Sequence, residues 1–170
     1  MTHSIAMDFE ELCREVGGRS KFNITLKRIT KPISFICLSA ERPPDPEKFA
    51  NLLEKATRED WNEKFSFHVK GGTYLSGKIN ADSKELFIRF SKEVPLSWGL
   101  IVEDRLEDLQ NTLNEMGKFR GACTYYESSS GSIRVVCDIY TSSPRITRKD
   151  LLVLLRELND IYEIQPAGVK

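Results

Sequence analysis

FRGACTYYE at 119–127, SSSG at 128–131 and SIRVVCDIYT at 132–141 read as two strands closed by a tight turn. Ile133, Val135, Cys137 and Ile139 alternate with Arg134, Val136, Asp138 and Tyr140, the period-two pattern of a half-buried strand. If Ser128 faces Ser132, the loop has three residues, and Gly131 takes the third, where a G1 bulge needs a left-handed backbone. Paired residue numbers then sum to 260, which sets Cys123 directly opposite Cys137. Five steps from the hydrogen-bonded closing pair, these two form a non-hydrogen-bonded pair, in which side chains are closer. Directly opposed β-carbons still lie about 4.5–5.5 Å apart, against about 3.5–4.5 Å in a disulfide. Two reduced core thiols are therefore expected, with a redox pair of Cys123 and Cys137 as the competing reading.

Helical patterns flank the hairpin. Before it, Leu106, Leu109, Leu113 and Met116 form an apolar stripe, and Gly117 stands where a helix end takes a left-handed residue. After it, Thr147 and Asp150 have capping-box spacing, ahead of Leu151, Leu154, Leu155, Leu158, Ile161 and Tyr162. Further upstream, Asp45 and Pro46 open a helix carrying Phe49, Leu52, Leu53 and Ala56. Three strands, or two with a bend, follow: one through Phe65, Phe67 and Val69, one over Thr73–Ile79, and one over Glu85–Phe90. The N-terminal part predicts a helix over Asp8–Val16, a strand through Phe22, Ile24 and Leu26, a turn near Pro32 and a strand over Ile33–Leu38.

Hairpins joined by helices imply an α+β fold: an antiparallel sheet built from helix–hairpin units, with helices packed on it. One domain is expected over residues 1–170, with an N-terminal α-ββ extension at 8–41 and an α-βββ-α-ββ-α core at 45–165.

Charge narrows the function classes. Lys and Arg number 25, as do Asp and Glu, and residues 1–85 hold 14 basic and 13 acidic residues, so neither half is a polycation. Attachment to nucleic acid or anionic lipid by a general basic surplus is thereby excluded. A local basic face at Arg145, Arg148 and Lys149 reads more simply as a solvated first turn. The longest obvious apolar run, Leu151–Leu155, is far short of a membrane span. Met1–Met7 lacks the basic start and apolar run of a signal peptide, so a cytoplasmic protein is expected. The four cysteines show no zinc-ligand spacing, and no metal or cofactor is expected.

No catalytic group stands out. His3 lies near the N-terminus, and His68 alternates with Phe67 and Val69, as a solvated strand residue would. The serine-rich turn joins strands rather than opening a helix, and a plain hairpin turn is the expectation over an anion site. Glu103, Asp104, Glu107 and Asp108 crowd one helix start, where the macrodipole favours acids. Val94–Val102 is the most unusual stretch, with six large apolar residues and no charge. Leu96, Trp98, Leu100 and Ile101 are its candidate partner-binding residues, although such a joint also closes a sheet-to-helix core.

From Pro46 onward, Phe49–Ala56, Phe65–Phe90, Leu106–Met116, Phe119–Tyr140 and Leu151–Tyr162 follow one another as helix, three strands, helix, hairpin, helix. That order resembles the type III secretion chaperone-like fold, including the YbjN-like bacterial proteins. The resemblance implies a small, often dimeric, non-enzymatic binder of other proteins, and carries no motif by which a functional residue transfers. Residues 8–38 depart from its pattern. The expectation is a cytoplasmic protein-binding module, chaperone-like or an assembly factor, whose partner is another protein or a second copy. The alternative is a small-ligand or enzymatic domain with a pocket between sheet and helices, served by Arg120, Tyr125, Tyr126, Arg134 and Tyr140.

Overall fold

Alternating apolar residues give each strand one side to bury, and the helices supply the cover. The computed structural model describes residues 5–23, 34–59, 64–70, 72–79, 85–141 and 146–164. In chain order these form α1 (Ile5–Glu15), β1 (Arg19–Asn23), β2 (Ser34–Ala40), α2 (Pro46–Arg58), β3 (Lys64–Val69), β4 (Gly72–Ile79) and β5 (Leu86–Pro95). A 3₁₀ turn (Leu96–Trp98), α3 (Gly99–Met116), β6 (Phe119–Glu127), β7 (Ser132–Thr141) and α4 (Arg148–Tyr162) follow. One seven-stranded sheet runs β1-β2-β3-β4-β5-β7-β6. The fold is α+β, as expected, and the sheet is antiparallel except between β2 and β3. Those two are joined through α2, because parallel neighbours cannot be linked by a tight turn.

Local signals act where they stand. Asp45 accepts a 3.0 Å hydrogen bond from the Lys48 N–H, and Pro46 opens α2. Thr147 and Asp150 form the reciprocal capping box of α4. Gly117 (φ 64°) ends α3, and Gly131 (φ 81°) makes the β6–β7 turn. Several boundaries differ from expectation. Helix α1 begins at Ile5, and the first strand starts at Arg19, three residues before the expected Phe22. Ile24 to Ile33, with the expected turn near Pro32, lie outside the described residues. Strand β5 continues past Phe90 to Pro95, so Val94 belongs to the sheet.

Five aromatic rings cluster beneath α1 and α2. Phe9 of α1 stacks on Phe35 of β2 at 4.8 Å and on Phe65 of β3 at 5.4 Å. Phe49 of α2 meets Phe67 at 5.1 Å and Phe65 at 6.0 Å. All five rings are buried. Between the helices, Lys55 Nζ donates to Asp8 at 3.0 Å in a half-buried pair, and Lys48 to Glu15 at 2.9 Å in a more exposed one. At mid-sheet, a register shift between β3 and β4 puts Tyr74 and Leu75 side by side in the core. The Tyr74 hydroxyl donates to Asn159 of α4, and burial pushes its pKa far up, so it remains a donor.

Phe9 is the ring that ties the first helix to both sheet and α2. Phe9→Ala is expected to cost about 3–5 kcal/mol, read as a lower urea midpoint, and an unchanged midpoint would contradict this account of the core.

Candidate functional site: the β6 edge and its apolar corner

Ser128 N–H donates to the Ser132 carbonyl at 2.7 Å, closing the hairpin with a hydrogen-bonded pair. The register runs from that pair through Tyr126↔Arg134, Thr124↔Val136, Ala122↔Asp138 and Arg120↔Tyr140. Even-numbered residues of β6 therefore spend their backbone groups on β7, and odd-numbered ones point theirs away from it. Among the described residues no strand lies beyond β6 in the sheet. Its side chains are equally open: only Phe119 is buried and Cys123 half-buried, with Tyr125 44% and Tyr126 52% exposed.

The Val94–Val102 joint divides by depth. Val94 and Val102 are buried, and Trp98 and Ile101 are half-buried against the core. Leu96 and Leu100 are 52% and 80% exposed. Four residues proposed together thus do two jobs: Trp98 and Ile101 close the core, and Leu96 and Leu100 face outward. The position of Gly99 places this corner, since a β-carbon there would lie 3.4 Å from Ile133 Cδ1. Ile133 pairs with Glu127 and Val135 with Tyr125, so Leu100 belongs to the hairpin end of the exposed edge.

The cysteines correct the expectation of reduced thiols. Cys123 and Cys137 are directly opposed, as the register requires, and are joined as a disulfide with Cα atoms 4.0 Å apart. The generic cross-strand spacing overestimated the gap, because non-hydrogen-bonded partners approach most closely. Cys13 and Cys37 form a second disulfide, tying α1 to β2 across 24 residues. No sequence pattern marked that pair, which meets only once the helix lies on the sheet. Gly18 sits against it: a β-carbon there would fall 2.5 Å from Cys37 Sγ and 2.7 Å from Cys13 Sγ.

On the face without helices, the rows pair internally. Arg89 makes a two-point contact with Asp138 at 2.6 and 2.9 Å, and Arg120 reaches Glu85 at 2.5 Å. Phe87 and Tyr140 lie 4.8 Å apart, with Arg120 over Tyr140. At the turn, Ser132, Ser128 and Ser130 approach one Glu93 carboxylate oxygen at 2.6, 3.1 and 3.3 Å. Hydrogen bonds from Ser132 first, then Ser128, hold the Glu93 carboxyl below its ordinary pKa. A carboxylate so stabilised is a weak base, and its negative charge disfavours an anion at the turn.

The remaining candidates are dispersed. Arg120, Tyr126, Arg134 and Tyr140 share the helix-free face, while Tyr125 is on the other, so no pocket between sheet and helices gathers them. Glu103, Asp104, Glu107 and Asp108 are exposed, and because α3 begins at Gly99 they start in its second turn. His68, expected to be solvated, is instead half-buried, with Nε2 3.2 Å from the Ser66 hydroxyl on the same face of β3. Beside it, a groove of about 420 Å³ crosses β2 to β5, where Lys64 stands opposite Lys78. Arg148 and Lys149 are exposed, whereas His3 and Arg145 lie outside the described residues. Among the described residues no metal-ligand cluster forms, and no helix is long and apolar enough to cross a membrane.

Two outcomes follow from this geometry. With graded phosphine reductant and alkylation, Cys123–Cys137 is expected to open before Cys13–Cys37, because Cys123 is half-exposed and both N-terminal sulfurs are fully buried. Simultaneous opening would refute that order. Ser132→Ala should raise the Glu93 titration toward the ordinary carboxylate value, as followed by carboxyl-carbon NMR. A depressed folded-state pKa adds stability that is present above the unfolded value and lost as pH falls through the folded one. The wild type should therefore lose this contribution at lower pH than Ser132→Ala, and superimposable titrations would show that the serines do not act on Glu93.

Comparison of the chain with family models, with curated proteins and with solved structures finds no match.

Proposed function

We propose that the chain is a non-enzymatic protein-binding module, an assembly factor or chaperone-like protein, that holds its partner along β6 and the adjoining corner. The observation that carries this is the exposure of Tyr125, Tyr126, Leu96 and Leu100 around a strand edge whose backbone groups point outward. Such an edge is a template for another strand, and aromatic residues beside it suit a protein interface. The resemblance in element order to the type III secretion chaperone-like fold points the same way. The competing small-ligand or enzymatic reading draws instead on the groove lined by Lys64, Lys78, Ser66 and Ser76. For the setting, we infer a compartment in which the two disulfides persist, in place of the cytoplasm expected from the residue pattern.

Site-specific photocrosslinking in the cells that make the protein tests the reading. Benzoylphenylalanine at Leu100 or Tyr126 should yield protein adducts, and the same group at exposed Asp160 on α4 should not. Equal yields at all three positions, or none, would overturn it.

A further inference from the structure

We propose that the β6 edge pairs antiparallel with the β6 edge of a second copy of this chain, about a two-fold axis through Cys123. This rests on the protein-binding reading above and names its partner. The two sheets, of seven strands each, then become one.

The edge lacks the features that keep strands apart. Exposed edges are commonly blunted by Lys, Pro or a bulge. Here 121–126 reads GACTYY, without charge or proline, and the charges stand at either end, at Arg120 and Glu127. An antiparallel copy brings each Arg120 end beside the other's Glu127 end. The formal net charge of zero adds no long-range repulsion.

Symmetry then selects the register. A two-fold axis normal to the sheet keeps every residue on its own face, so partners must share parity and their numbers must sum to an even value. Of those sums, 246 overlaps the whole strand, from Phe119 against Glu127 of the second copy to Cys123 against its own counterpart. Odd-numbered residues face odd-numbered ones, the set whose N–H and C=O groups point away from β7. Five such residues per strand, each donating and accepting once, make about ten new backbone hydrogen bonds. Side chains fit the same register. Tyr125 lies across from Gly121 of the second copy, which has no β-carbon, Arg120 meets Tyr126 of the second copy, and Ala122 meets Thr124 of the second copy. The operation also sets the corner with Leu96 and Leu100 beside the C-terminal end of the second copy's α3.

The test uses the full chain. Sedimentation velocity from about 1 to about 500 μM should show a monomer–dimer equilibrium, a range that resolves micromolar pairing. Tyr125→Pro removes an outward N–H and leaves the β7 ladder intact, and should weaken dimerisation by about tenfold or more. Tyr125→Lys does the same by charge, should the proline variant fail to fold by circular dichroism.

Cys137→Ala frees Cys123. In the proposed register the two Cys123 Cα atoms stand about 5.5 Å apart, within the roughly 4.4–6.8 Å that a disulfide spans. Diamide should therefore oxidise the two thiols to an interchain bond, its azo group taking up both electrons and both protons, whereas Cys123→Ala/Cys137→Ala should give none. A wild type that stays monomeric, with no interchain bond in Cys137→Ala, overturns self-pairing. Adducts from Tyr126 to a different protein would in that case leave the protein-binding reading standing. Dimers that survive both Tyr125 variants without a Cys123 crosslink place the interface elsewhere and also overturn the proposal.

Discussion

The structure depends on the cluster formed by Phe9, Phe35, Phe49, Phe65 and Phe67. Two helices and two strands contribute to it, and those strands are the one parallel pair among the described strands. Parallel pairing is slightly less stable per residue than antiparallel pairing. The rings compensate by burying both sides of the joint under α1 and α2. Without them, the N-terminal helix and its two strands would meet the remainder through β2 and the ion pairs from α1 to α2. The half-buried Lys55–Asp8 pair adds a direct link between α2 and α1.

The helix-free face is solved differently. Its residues stay wet but pair with one another in rows: Arg89 with Asp138, Arg120 with Glu85 and Tyr140, and Glu93 with the turn serines. Those contacts satisfy charge without cover and leave open backbone valence on β6, one of the two edge strands. On the helix side, Lys92 completes the end of α4, lying 4.3 Å over the Tyr162 ring, and burial pulls its pKa below the ordinary value. A cation at a helix C-terminus is favoured by the dipole.

Local chemistry was legible in the residue pattern, and distance was not. The Asp45, Thr147, Gly117 and Gly131 signals each depend on a few neighbouring residues, and each acts as the pattern implied. The 260 register was legible for the same reason, since a three-residue loop leaves little freedom. The Cys13–Cys37 bridge, the parallel β2–β3 pair and the side-by-side burial of Tyr74 and Leu75 all require residues far apart in sequence. Alternation also could not separate Trp98 from Leu100 within one apolar run. Only the helix start at Gly99, which rotates Leu100 outward and Val102 inward, decides that.

The parallel joint has a kinetic meaning. Strands β3 to β7 are linked by short turns and one helix, so their contacts form early. Strand β2 must wait for α2 to cross the sheet before it can dock. We expect the piece from α1 to β2 to be the last to fold and the first to open, a cooperative unit of its own. The Cys13–Cys37 bond runs inside that piece and does not cross to the remainder of the sheet. It preserves the unit as it leaves and returns, and shortens the search on each return.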